Sequence, residues 1–142
     1  MRPDVVVIVA PQGELPSGIV QAVGPDVTRV RPGDKVTGDC SLYCGVCDLC
    51  ERDRNLCRAI EKFGITVSGA SRQLFLQEET YVYPAHAGAD LDLVALSEPL
   101  AVGAHAVRRV RASRPNFAHE KILVLGGGEW ALAAPPEGQT VA

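Results

Sequence analysis

Four cysteines stand close together in CGVCDLCERDRNLC, from Cys44 to Cys57, and the only other cysteine in the chain is Cys40. Cys44, Cys47 and Cys50 follow a C-x2-C-x2-C spacing, and Cys57 closes the set. A short loop with that spacing brings four sulfurs to about 2.3 Å from one Zn²⁺ and fills its tetrahedron. Such a site leaves no position for water or substrate. Its role is to hold a loop that has too few apolar side chains to pack by itself. The other readings, a redox C-x-x-C pair or unrelated free thiols, leave the third and fourth spacings unexplained. Cys40 sits at what reads as the end of a strand and is taken as a buried spare thiol, able to substitute in a degenerate site. The lobe is expected over 40–58.

Composition sets the surroundings of that loop. A chain of 142 residues, 46% apolar and 22% charged, has the make-up of a soluble globular protein. A chain of this length can bury roughly two-thirds of its unfolded surface. The net charge of −3 argues against nucleic acid, and around the cysteines Asp48, Glu51 and Asp53 stand against Arg52 and Arg54, where a zinc-ribbon binder would need basic and aromatic residues. Val5 to Ala10 is too short for a membrane span, which takes about 20 apolar residues, and is poorly flanked for a secretory signal. The expected location is the cytoplasm, where structural disulfides are rare and clustered cysteines more often hold metal.

Short strands are expected on either side of the cysteines: Gly18 to Val23, Val27 to Val30, Lys35 to Cys40, Gln73 to Gln77 and Tyr81 to Tyr83. Turns at Gly24-Pro25-Asp26, Pro32-Gly33-Asp34 and Glu78-Glu79-Thr80 punctuate them. So closely spaced a set suggests a small barrel or sandwich. From Asp90 the apolar residues recur at helical spacings, with Pro99 near a helix start, which predicts a helical connector. Lys121 to Leu125 is a buried-strand run leading into Gly126-Gly127-Gly128. GGGEWA fits G-x-G-x-x-G/A with Ala131 in the third place, so Gly126, Gly128 and Ala131 are candidate nucleotide-binding positions. On the residues alone, a plain glycine turn after a core strand remains an equal reading. His86, His105 and His119 lack ligand spacing to one another and are expected in ordinary structural or exposed roles.

In this order, GIVQAVGPDVTRVRPGDKV, the four-cysteine lobe, SEPLAVGAHAV and a strand ending in GGG resemble the zinc-dependent medium-chain alcohol and polyol dehydrogenases. The likeness runs from about Gly13 to Gly128 and is strongest to the sorbitol and threonine dehydrogenase branch. It implies a mainly β chain with some α: a GroES-like catalytic domain with a structural zinc lobe over 1–112. A connector and only the first strand and turn of a Rossmann domain would follow over 113–142. The implied reaction is oxidation of a small alcohol or polyol to a carbonyl with hydride passing to NAD or NADP. In that family a catalytic zinc with an open position polarises the alcohol. The resemblance makes Cys44, Cys47, Cys50 and Cys57 the structural zinc ligands, with a last gap one residue shorter than the family's usual spacing. It also sets Glu98 in the place that supplies or backs a carboxylate at the catalytic metal. A self-associated state is compatible with it.

The chain also departs from the family. The catalytic cysteine would fall before Met1. Where relatives read G-H-E, this chain reads Gly13-Glu14-Leu15, which sets Glu14 in the histidine's place and Leu15 in the glutamate's. Two carboxylates without imidazole or thiolate make a poor zinc site. After Ala131, Pro135-Pro136 stops the expected helix before a second strand can form. The expectation is therefore a dehydrogenase fragment, truncated at both ends and inactive as this chain. The alternative is a non-enzymatic zinc-stabilised domain with at most a partner-binding role.

Overall fold

The computed structural model describes residues 4–9, 17–70 and 72–114. Its main sheet is built from β1 (Val5–Val9), β2 (Ser17–Val23), β3 (Lys35–Gly38), β6 (Leu74–Glu78) and β7 (Val82–Pro84), all antiparallel, in the order β6-β1-β2-β3-β7. Two short strands, β4 (Ser41–Leu42) and β5 (Glu61–Lys62), form a separate pair. Between them lie helix α1 (Asp48–Arg52) and a single 3-10 turn at Arg54–Leu56. The cysteine lobe is thus an insertion between β3 and β6.

The expected mainly β architecture is present, with three strands the sequence reading did not assign, β1, β4 and β5. Val5 to Val9, considered there only as a leader or span, is β1, hydrogen-bonded between β6 and β2. Five consecutive β-branched residues suit a strand flanked on both sides, and Val5, Val6 and Ile8 are buried. The pairing slips by one residue between Val7 and Ile8, so Val6 faces Val23 while Ile8 faces Val20. Val6, Ile8, Val20, Val30, Val36, Ala70, Phe75 and Val82 close into one apolar core.

Val27 to Val30 is not a strand. The Thr28 amide donates to Glu79 Oε1 at 2.8 Å and the Arg29 amide donates to the same oxygen. A distant carboxylate has taken the donors a ladder would use. Gly33, at φ +94°, makes the expected turn before β3, in a conformation that favours glycine. The strand expected over Lys35 to Cys40 ends at Gly38. There the Gln77 side chain packs against the glycine, occupying the space a Cβ would need, and Gln77 Nε2 donates to the Asp39 carbonyl at 2.9 Å. The chain then leaves the sheet for the lobe.

After β7 comes α2 (Leu91–Ala95), which packs against β2 and β3 through buried Val94. Two compact units divide between Ala95 and Leu96. In the second, α3 (Ser97–Ser113) carries Pro99 in its first turn, where proline is tolerated because the amide has no helical partner. No helix among the described residues is long and apolar enough to cross a membrane.

Candidate metal centre

The lobe gathers the four cysteines of the sequence motif. One sulfur from each of Cys44, Cys47, Cys50 and Cys57 lies within 4.8 Å of all the others. Cys44 Sγ and Cys50 Sγ are 3.9 Å apart, and Cys47 Sγ and Cys50 Sγ are 3.4 Å apart. A tetrahedron with Zn–S bonds of about 2.3 Å has sulfurs roughly 3.8 Å apart, so side-chain shifts of about 1 Å or less bring the donor set onto Zn²⁺. Cys40, the candidate spare thiol, is half-buried and has Ser41 Oγ at 3.8 Å.

Local chain geometry explains the gathering. Gly45, at φ +72°, reverses the chain directly after Cys44, and Cys47 stands at the N-terminus of α1. The Cys50 amide donates to the Cys47 carbonyl at 3.0 Å, closing the first loop. Asp53 caps the 3-10 turn by accepting from the Asn55 amide at 3.0 Å, and that turn delivers Cys57. On the lobe's surface, the Arg58 guanidinium holds Asp48 in an exposed ion pair at 3.0 Å.

Backbone amides aim at the sulfurs, which is what thiolates require. The Cys44 amide donates to Cys57 Sγ at 3.3 Å. Amides of Arg58 and then Cys50 pull the Cys47 thiol down to about 6, against the opposing effect of burial. The Cys44 amide lowers Cys57 likewise. Burial, then the thiol contact with Cys47, pushes Cys50 up to about 12. Without metal, the amides favour a thiolate at Cys47 and burial favours a protonated thiol at Cys50. A divalent cation would replace that proton and bring in the remaining thiolates.

The lobe is anchored to the sheet by residues the sequence reading missed. Tyr81 donates its hydroxyl to the Tyr43 carbonyl, and the two rings meet edge to face with centroids 5.0 Å apart. Burial, and next the Glu78 charge, pushes Tyr81 up to about 12, so it remains a donor. Arg54 lies over the other ring, 4.8 Å from the Tyr43 centroid. Tyr43, Tyr81 and Cys57 form a buried cluster with Leu42, Cys47, Cys50 and Ile60 packed around it. A tyrosine one residue before the first ligand was the available signal, but its partner lies far along the chain.

Glu98 lies in the first turn of α3, half-buried. Glu14, Leu15, His119, Gly126, Gly128 and Ala131 lie outside the described residues, as does the strand expected over Lys121 to Leu125. His86 and His105 are exposed. His86 accepts the Gly88 amide through Nδ1 at 3.1 Å, an ordinary loop contact.

An antiparallel sheet from which a four-thiol lobe projects defines a class, the GroES-like domain with a structural metal knuckle. Comparison with known proteins agrees. The family model of the alcohol dehydrogenase GroES-like domain matches residues 9–87. Over 127 residues the chain is 35% identical to the 2-dehydro-3-deoxy-L-galactonate 5-dehydrogenase of Pseudoalteromonas atlantica, covering 89% of this chain and 34% of that enzyme. The (R,R)-butanediol dehydrogenase of Saccharomyces cerevisiae is 33% identical over 132 residues, with 82% and 34% covered. In fold, the galactitol-1-phosphate dehydrogenase of Escherichia coli matches 94% of this chain and 44% of its own, at a TM-score of 0.79 and 21% identity. The chain belongs to the zinc-dependent medium-chain alcohol and polyol dehydrogenase family. It spans about a third of the length of the curated relatives it matches.

Proposed function

We propose that this chain is the zinc-knuckle-bearing GroES-like part of an alcohol or polyol dehydrogenase, and that its own chemistry is to bind one structural zinc. The observation that carries this reading is the mutual approach of four sulfurs within 4.8 Å. Four thiolates complete the coordination of zinc, so the bound ion fixes the lobe and offers no place to a substrate. In the family the reaction moves a hydride from an alcohol to NAD or NADP. The relatives' names point to small polyhydroxylated or diol substrates. A cytoplasmic location fits a cluster of reduced thiols reserved for metal.

By itself this chain is expected neither to oxidise alcohols nor to bind NAD usefully. Hydride transfer needs a metal with an open position and a nicotinamide held against it at near-attack distance. Of the residues matched to the family's catalytic set, Glu98 is a carboxylate on the first turn of α3, and Glu14 and Leu15 replace the usual imidazole and carboxylate. Gly126, Gly128 and Ala131 offer at best backbone amides to a phosphate. The alternative of a non-enzymatic, zinc-stabilised domain describes the same chain acting without a nucleotide.

Metal analysis of protein purified without added zinc should give one zinc per chain. None, or two, would overturn the assignment. Calorimetric titration with NAD, followed by assays on secondary alcohols and polyols with zinc present, should show neither binding nor turnover. Turnover that disappears in Glu98→Ala would show a working catalytic site.

A further inference from the structure

The four sulfurs of the lobe are not equally sheltered. Cys57 is buried, Cys47 and Cys50 are half-buried, and Cys44 is exposed. The chain stays open directly after Cys44, where Gly45 reverses it at φ +72° and Val46 is 88% exposed. Hydrogen bonding adds to this difference. Cys57 Sγ accepts the Cys44 amide at 3.3 Å, and an N–H bonded to a thiolate draws on the lone pair that would attack an electrophile. Cys44 Sγ instead meets a sulfur, Cys50 Sγ, at 3.9 Å. Once zinc is bound all four are thiolates, so charge no longer ranks them, and access decides which one an oxidant meets.

We propose that Cys44 is a modification site for hydrogen peroxide, that Cys50 resolves the oxidised sulfur as a disulfide, and that the lobe thereby gives up its metal. The proposal rests on the proposed zinc assignment and adds regulation to that site. The Cys44 thiolate attacks one peroxide oxygen: an S–O bond forms, the O–O bond breaks and hydroxide leaves. The sulfur is oxidised by two electrons to a sulfenic acid while the peroxide is reduced. The Cys50 thiolate then attacks that sulfur, so that an S–S bond forms, the S–O bond breaks and a second hydroxide leaves. Two protons from solvent turn the two hydroxides into water. Cys47 is nearer to Cys50, at 3.4 Å, but it is half-buried at the head of α1, and the oxidant meets Cys44 first. After the disulfide closes, Cys47 and Cys57 are the remaining thiolates, too few to complete a tetrahedron. Exchange with a dithiol reverses the step and restores the ligands.

Metal analysis of the starting protein separates the two readings: a chain without zinc removes both, whereas a chain with one zinc that responds otherwise than stated here removes this one alone. Hydrogen peroxide added to the zinc-loaded chain together with dimedone, which traps sulfenic acids, should label Cys44 first in peptide mapping. Without dimedone, each zinc released to a chromophoric chelator should be matched by one disulfide joining Cys44 to Cys50. A dithiol with added zinc should then restore the loaded protein. Cys44→His keeps a nitrogen ligand for zinc but has no sulfur to oxidise, so it should retain metal at a peroxide dose that empties the parent. Cys40→Ser, outside the four ligands, should release zinc as the parent does. First labelling at Cys47 or Cys57, a first disulfide between Cys47 and Cys50, or release from Cys44→His at the parent's dose would overturn the inference. If Cys44→His binds no zinc, the labelling order in the parent decides alone.

Discussion

The main sheet and the cysteine lobe are held together by different means. In the sheet, Val6, Ile8, Val36 and Val82 are fully buried, and antiparallel pairing satisfies the backbone. In the lobe, neither α1 nor the 3-10 turn contains a buried residue, and Val46 and Leu56 are 88% and 54% exposed. A helix of five residues has no stability of its own in water. Where apolar burial is too thin to order a segment, sulfur and metal must do so. The sheet should therefore survive loss of metal, and the lobe should not.

The largest expected effect comes from removing the metal. Chelation, or Cys47→Ser, should abolish the one bound zinc and collapse protection from hydrogen exchange over 44–58, while the amides of β1, β2 and β3 remain protected. Simultaneous loss of protection in both regions would show that they fold as one unit. Next comes the sheet. Ile8→Ala leaves a cavity beside Val20 and Phe75 and should cost about 2–5 kcal/mol in urea denaturation, with zinc still bound at one per folded chain.

The joint between the two regions should respond less. Tyr81→Phe keeps the ring against Tyr43 but removes the hydroxyl that donates to the Tyr43 carbonyl. The carbonyl is left without that partner, at about 1–2 kcal/mol. Faster exchange at the lobe's amides, at unchanged zinc stoichiometry, would identify this bond as the tether. An unchanged exchange rate would shift that role to ring packing.

The same contrast explains what could be read from the sequence. The lobe was legible because its ligands are neighbours in the chain, so spacing alone carries their geometry. The sheet was legible wherever turns mark it, as at Gly33. β1 was not, since a run of valines has no period, and its status as a flanked strand depends on Leu74 to Glu78, far along the chain. Val27 to Val30 misled because the carboxylate that takes its amides, Glu79, is 50–51 residues away. Tyr43 and Tyr81 are separated by 38 residues and gave no local sign of contact. Pro99 marked the start of the helix that carries Glu98, but a helix position does not decide whether a carboxylate meets a metal.

The smallest expected effect is at Arg58, and it separates a side chain from its backbone. The guanidinium pairs with Asp48 where both are about two-thirds exposed, and a pair so exposed contributes little to stability. The Arg58 amide, by contrast, is the first cause of the lowered Cys47 thiol. Arg58→Ala removes the ion pair and keeps the amide. In metal-free protein the Cys47 value is depressed relative to an ordinary thiol. The stability it contributes is therefore complete above about pH 9 and is lost as pH falls through about 6. Thiolate ultraviolet absorbance of the metal-free chain should show this low titration, in Arg58→Ala as in the parent, with the melting temperature essentially unchanged. A midpoint that climbs to the ordinary thiol range in Arg58→Ala would mean that the guanidinium, and not the amide, sets the charge of the cluster. Zinc uptake should fall along the same limb, because below pH 6 the cation must displace a proton from Cys47 as well as from its neighbours.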